Sequence, residues 1–246
     1  MLPGSHSDIR YHFFVKFLKK EYSENPLVLE VGSGPVGISH YWKGKVVGLD
    51  IDVQKKKSKN LLLVKGTAIQ LPFRDKEFDC TIAIDFLEHI PQGCRKKAVL
   101  EMIRVTKKDI VVGVPCGDKA IEWENKARKV YEKKINEWKR ENLIRASLVK
   151  QRGVFLIEHE NMGLPSEQWL LKMVEEAAQE STGTFNIKVS DNESLWVWYF
   201  YLLAELKYNY FRWLATAALT MAIHPFLRKI KWAGCYRKIF TIRREK

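Results

Sequence analysis

The stretch Leu29–Ser39, LEVGSGPVGIS, constrains this chain more than any other. Its three glycines, Gly32, Gly34 and Gly37, follow the apolar run Leu27–Val31 at G-x-G-x-x-G spacing. That spacing lets a backbone leave a buried strand, turn tightly and start a helix. A loop of this kind sits on a sheet, and the chain supplies further strands at regular intervals. Val46–Ile51, Leu61–Lys65, Cys80–Ile84 and Ile110–Val114 are short, rich in Val, Ile and Leu, and bounded by Gly, Pro or Asp. Between them lie helical stretches such as Gln92–Val105, where Ala98, Val99, Met102 and Val105 share a face. Continuous apolar runs suit strands covered on both sides, so the alternation predicts a parallel sheet flanked by helices.

After Pro115 the rhythm changes. Residues 119–150 read as long charged helix with Tyr131, Ile135 and Trp138 at helical spacing, and Gly163-Leu164-Pro165-Ser166 ends that region. Ser166 is placed to cap a helix running through Ala178. Thr184–Val189 and Tyr236–Ile242 follow as strands. The expected whole is one domain over 1–246, with a charged helical lid inserted at 119–163 and an aromatic helical insertion at 194–233 before the last strand.

Charge is distributed unevenly. The net charge is +13 over 246 residues, and two segments account for it: residues 119–152 carry eleven Lys/Arg against five Asp/Glu, residues 186–246 eleven against four. Any anionic partner is expected to meet those segments. The 46% apolar and 29% charged composition excludes a disordered or collagen-like chain. Cys80, Cys94, Cys116 and Cys235 form no CxxC pair and no zinc spacing with His, so reduced thiols are expected and no metal site. The start, MLPGSHSDIRYHFF, lacks a basic region followed by a long apolar run, which predicts no secretory signal and a cytoplasmic protein.

The glycine loop could hold a dinucleotide, another nucleoside, or nothing. Asp50, in VVGLDID, stands where an acidic residue at the end of the second strand takes ribose hydroxyls, which fits NAD and S-adenosylmethionine equally. Glu30 favours the second. Two residues before the first glycine, its carboxylate can reach the loop or the ammonium of a bound amino acid, and it would repel a pyrophosphate.

Together with the run GTAIQLPFRDKEFDCTIAIDFLEHIP (residues 66–91), these motifs resemble the class I S-adenosylmethionine-dependent methyltransferases. The resemblance covers residues 27–115 in order and implies a Rossmann-like seven-stranded sheet with the last strand antiparallel, plus helical insertions. It implies S-adenosyl-L-methionine as cofactor, with Glu30, Gly32 and Gly34 lining its methionine part and Asp50, beside Ile51, accepting from the ribose. Thr67 and Ala68 would stand at the adenine, and Asp85 at the end of the fourth strand. Thr67 departs from the family, which has an acidic residue there; a hydroxyl accepts without charge assistance. An NAD-dependent oxidoreductase and a non-catalytic cofactor-binding subunit are the rival readings.

Methyl transfer is an in-line displacement, so the protein must align a nucleophile and, for a hydroxyl acceptor, offer a base. His159, in FLIEHENMGLPS, is the first candidate because the helix starting near Pro165 begins at the ligand edge of such a sheet; Asp85 is the second. Glu88 and His89 stand beside Asp85, with local hydrogen bonding as their alternative role. The "EH…GLP" segment also resembles sugar- and glycan-pathway members of the family. The expected acceptor is therefore a small molecule, sugar or lipid-linked glycan, with RNA as the alternative. Residues 194–233 hold four of the eight tryptophans, among them Trp196, Trp198, Trp213 and Trp232, but their longest uncharged run is fifteen residues, short of the ~20 that span a bilayer. Their occupant is the domain itself, a second copy in a homodimer, or an anionic membrane surface met through Arg228, Lys229 and Lys231.

Overall fold

The computed structural model describes residues 6–53, 59–141, 155–206 and 234–245. Seven strands form a single sheet: β1 (Val28–Val31), β2 (Val46–Asp50), β3 (Leu61–Lys65), β4 (Phe78–Ile84), β5 (Thr106–Pro115), β6 (Phe185–Ser194) and β7 (Cys235–Arg244). Their order is β3-β2-β1-β4-β5-β7-β6. The first five are parallel neighbours, and β7 runs antiparallel to both β5 and β6. This is the Rossmann-like sheet with its last strand antiparallel that the family resemblance implies. Strand ends extend beyond the apolar runs, because the sheet's hydrogen bonding continues into polar residues such as Thr106–Asp109.

Among the described residues six α-helices surround the sheet: α1 (His6–Glu21), α2 (Gln92–Val105), α3 (Asp118–Glu141), α4 (residues 155–162), α5 (Glu167–Glu180) and α6 (Leu195–Leu206). On one face α2 and α5 bury Ala98, Met102, Leu170 and Met173 against Leu29, Val31, Ala83 and Val112. Ser166 does cap α5, accepting from the Trp169 N–H at 3.2 Å. On the other face α1 buries Tyr11, Phe14 and Leu18 against Ile82, Val111 and Ile239. The sequence reading assigns no helix there, although Tyr11, Phe14 and Leu18 recur at one-face helical spacing.

A third cluster lies beyond the carboxyl end of the sheet. Ala120, Ala127 and Tyr131 of α3, Leu156 of α4 and Leu195, Trp198 and Leu202 of α6 gather around Tyr236 of β7. The antiparallel register sets Arg237 opposite Pro115, at the edge where β4 and β5 end. So β7 carries two large polar side chains to the edge where ligands bind in open α/β sheets. Residues 142–154 of the expected lid and 207–233 of the aromatic insertion, with Trp213, Trp232, Arg228, Lys229 and Lys231, lie outside the described residues.

Candidate functional site

Two hollows share a wall at the carboxyl edge of the sheet. The larger, about 440 Å³, lies along the glycine loop; Gly32, Asp50, Ile51, Thr67, Ala68, Phe86, His89 and Asp85 are among its lining residues. Its size falls within the ~300–1,000 Å³ of small-molecule sites. The smaller, about 150 Å³, lies under α4 and α6 and is lined by Arg10, Asp85, Glu88, His89, His159 and Tyr236 among others. Asp85 and His89 border both.

The loop is built from below. Glu30 is buried in β1 and accepts from the Ile38 N–H at 2.7 Å, so of its two expected roles the structure displays the one that reaches the loop. Burial pushes its carboxyl up to about 8, against the opposing pull of the Ile38 amide, Tyr11 and Arg10. Gly37 (φ +52°) rests on that carboxylate; any Cβ there would collide with it. Gly34, by contrast, faces open space, with nothing within 4 Å of an added Cβ. Its N–H donates to Asp50 Oδ2 at 2.8 Å, and the Asp52 N–H donates to Oδ1 at 3.1 Å. Each Asp50 oxygen keeps a second lone pair for a ribose hydroxyl. Open backbone at Gly34, an acceptor at Asp50 and the apolar wall of Ala68, Ile69 and Phe86 fit a nucleoside whose amino-acid tail crosses the loop.

The smaller cavity is a network of buried charge. Asp85 follows β4 with φ +48°, its N–H bonded to Gly113 O at 2.9 Å. Its carboxylate is gripped by the buried Arg237 through Nε and, at 2.6 Å, through Nη2. Arg237 also donates to Glu193 Oε2 at 2.6 Å, and the charges of Asp85 and Glu193 raise its pKa despite burial. A carboxylate held in a two-point ion pair is a poor proton acceptor. The geometry thus makes Asp85 an anchor at the common wall.

His159, on α4, is buried and bonds through Nδ1 to Glu124 Oε1 at 2.9 Å. The Tyr236 hydroxyl donates to the same oxygen at 2.6 Å. His89 bonds through Nδ1 to Glu158 Oε2 at 2.8 Å, and the two imidazoles face each other, Nε2 to Nε2, at 3.4 Å. Burial, then the neighbouring His159, lowers the His89 pKa, partly offset by Glu158. Glu88 lies alongside with its Oε1 4.0 Å from His159 Nε2. Burial, reinforced by the charge of Asp85, raises its pKa well above the ordinary range. The buried Arg95 locks the two histidine segments together, donating to Ile90 O at 3.2 Å and to Met162 O and Gly163 O at 3.0 and 2.8 Å.

Of the residues expected from sequence, Gly32, Asp50, Ile51, Thr67, Ala68 and Asp85 converge on the larger cleft and His159 on the smaller, while Glu30 lies beneath the loop. Sequence reasoning missed Glu124, Arg95, Tyr236 and Arg237. Only Arg237 left a trace: an arginine amid the apolar alternation of a central strand needs a buried anionic partner. The grouping of Glu88, His89 and His159 was also invisible to spacing, since His89 and His159 are 70 positions apart in the chain.

Residues 29–112 match the sequence model of the family described as methyltransferase domain. No curated protein sequence matches the chain. Several solved structures share its fold. A protein from Anabaena variabilis described as a methyltransferase of an antibiotic biosynthesis pathway is 14% identical, with TM-score 0.58 over 96% of this chain and 99% of that one. The small RNA methyltransferase HEN1 is 12% identical, with TM-score 0.57 over all of this chain and 26% of its own. The 1,6-didemethyltoxoflavin-N1-methyltransferase of Burkholderia thailandensis, solved with bound 1,6-didemethyltoxoflavin and S-adenosylhomocysteine, is 11% identical, with TM-score 0.50 over 94% of this chain and 76% of that one. At such identities the likeness establishes the fold.

Proposed function

The chain carries a methyltransferase domain of the class I, S-adenosylmethionine-dependent kind, and from that premise we propose that it methylates a small-molecule, sugar or lipid-linked acceptor held in the cavity under α4 and α6. One observation carries the reading: the acceptor cavity and the cofactor cleft meet at Asp85 and His89, so reacting atoms from either side come together at one wall. S-adenosylmethionine supplies a methyl group on a sulfonium, ready for displacement.

The chain's own residues do the rest. Gly34 and Asp50 orient the cofactor from the loop side. Arg237 fixes Asp85, which keeps the common wall rigid. His89 and His159 form the polar end of the acceptor cavity, where they orient an acceptor hydroxyl or amine. Trp198, Leu202 and Phe155 form its apolar end and exclude water. Helices α3 and α4 act as the lid over it.

A lipid-linked acceptor is favoured by α6. Its inner face sets Trp198 and Leu202 into the cavity, whereas Trp196 and Phe200, one helical turn apart, are 52% and 39% exposed on another face. Such a helix can lie in a membrane surface while its other side meets the acceptor. No helix among the described residues is long and apolar enough to cross a membrane.

The test is transfer of radiolabelled methyl from S-adenosylmethionine to a panel of sugars, lipid-linked glycans and RNA, with vesicle co-sedimentation alongside. Transfer to a glycan, with binding to anionic rather than neutral vesicles, is the expected result. Transfer to RNA, with salt-sensitive RNA binding, would move the substrate to the nucleic-acid alternative. Binding of NAD in place of S-adenosylhomocysteine would overturn the cofactor.

A further inference from the structure

From the convergence of His89, His159 and Glu88 at the inner end of the acceptor cavity, we propose that this chain binds a divalent first-row transition metal ion there.

Glu158 accepts at His89 Nδ1 and Glu124 at His159 Nδ1, at 2.8 and 2.9 Å. Glu124 already takes the Tyr236 hydroxyl hydrogen on the same oxygen, so it acts as an acceptor. Each imidazole therefore carries its hydrogen on Nδ1 and presents a bare lone pair at Nε2. Those lone pairs face each other across 3.4 Å. Nothing in two neutral imidazoles of this tautomer can bond across that gap, and the arrangement is repulsive unless something positive sits between them.

Glu88 supplies the third donor. Its side chain is wholly buried, and neither carboxylate oxygen accepts a hydrogen bond from any other described residue. A buried carboxylate without partners is strongly disfavoured as an ion unless it is neutralised or bound to a cation. Its Oε1 points toward the histidine pair, 4.0 Å from His159 Nε2, and all three donor atoms lie within 4.8 Å of one another. Donors bound at ~2.0–2.2 Å to one ion stand roughly 3–3.6 Å apart. The imidazole pair already has that separation, and a swing of the Glu88 carboxylate by about 1 Å closes the rest.

The outer layer points the same way. Metal-binding histidines characteristically donate their other ring N–H to a carboxylate, which fixes tautomer and orientation. Both histidines here do so, and Arg95 clamps the segments that carry them. Two imidazoles and one carboxylate suit Zn²⁺, Mn²⁺, Fe²⁺ or Co²⁺ and suit Mg²⁺ poorly, since Mg²⁺ prefers oxygen donors and its own waters. Three protein donors leave coordination positions open toward the cavity, where an acceptor oxygen or nitrogen can complete the shell. That last part rests on the function proposed above; binding of the ion does not.

The full chain, stripped with a chelator and dialysed, should be titrated with Zn²⁺, Mn²⁺ and Mg²⁺ by calorimetry, with bound metal counted by elemental analysis. One equivalent of Zn²⁺ or Mn²⁺ per chain is expected, with Mg²⁺ at least 100-fold weaker. Co²⁺ substitution should give visible absorption bands from a site containing nitrogen. Glu88→Gln and His159→Ala should weaken the ion at least 100-fold, and Glu124→Gln, one step removed, by ~10–100-fold. His89→Ala, at the most exposed of the three donors, keeps the test valid should a buried variant fail to fold. S-adenosylhomocysteine binding, measured on the same preparations, separates the two readings: cofactor bound without metal uptake sinks the metal site alone. Metal bound without methyl transfer leaves the site standing and counts against the function. No uptake, or uptake undiminished in His89→Ala and Glu88→Gln, would overturn the proposal and leave a shared proton between the rings.

Discussion

The glycine-loop cleft and the histidine-lined cavity of this molecule are built on opposite plans. Around Gly32, Gly34 and Asp50 the parts come from short contiguous stretches, and backbone geometry does most of the shaping: Gly34 gives open backbone, and Asp50 is held by the amides of Gly34 and Asp52. Around Asp85 and His159 the parts come from α1, the end of β4, α3, α4, α6 and β7, and side-chain charge does the shaping. Local construction tolerates loss of a single side chain. A buried charge network does not, because each deletion strands a partner in a medium that cannot solvate it.

Three measurements can break or sharpen that contrast. The largest effect should follow Asp85→Ala, which leaves Arg237 buried with half its anionic partners; a loss of about 3–5 kcal/mol is the scale for such a deletion. Urea unfolding reads it directly, and a loss under about 1 kcal/mol would mean that water reaches Arg237 and that the network is softer than its geometry.

Glu30 is the exception on the glycine-loop side, a buried carboxyl with its pKa raised by burial to about 8 from the ordinary 4.5. The folded protein holds this proton more tightly than the unfolded chain does. The associated stability is therefore whole below pH 4.5 and is lost as pH rises through about 8, at ~1.4 kcal/mol for each unit of difference between the two states. Glu30→Gln keeps an acceptor for the Ile38 amide and removes the titration. Unfolding free energies of wild type and variant across pH 4–9 should diverge toward alkaline pH, the variant gaining. Parallel curves would show that Glu30 is ionised and paired, which would erase the exception.

The smallest effect is expected at Asp50. Asp50→Ala should weaken S-adenosylhomocysteine binding by ~1.5–3 kcal/mol, the scale of charge-assisted hydrogen bonds to a ribose. Global stability should move by less than about 1 kcal/mol, as for a partly exposed side chain. Calorimetry beside thermal unfolding tests both. A stability loss matching the one at Asp85 would collapse the distinction between the two sides.

The same contrast explains what could be read from the chain. Strand positions, the helix at Gln92–Val105, the Ser166 cap and the residues of the glycine-loop cleft were legible because each depends on neighbours within a few positions, whereas the antiparallel last strand came only with the family resemblance. Alternation, caps and glycine turns are local physics. Helix α1 was legible too, through Tyr11, Phe14 and Leu18, though its spacing drew no assignment. Thr67, which departs from the family's acidic residue, does line the cleft.

The amino-acid order alone was enough to specify the strands of a parallel sheet, the glycine turn that follows the first of them, and a resemblance to one family. Tertiary structure alone decided the histidine-lined cavity. Arg237 meets Asp85 across 152 positions, Tyr236 meets Glu124 across 112, and His159 meets His89 across 70. No periodicity carries such pairings. They arise because an antiparallel last strand returns to the carboxyl edge of the sheet, and because charges brought there under α3, α4 and α6 pair with one another.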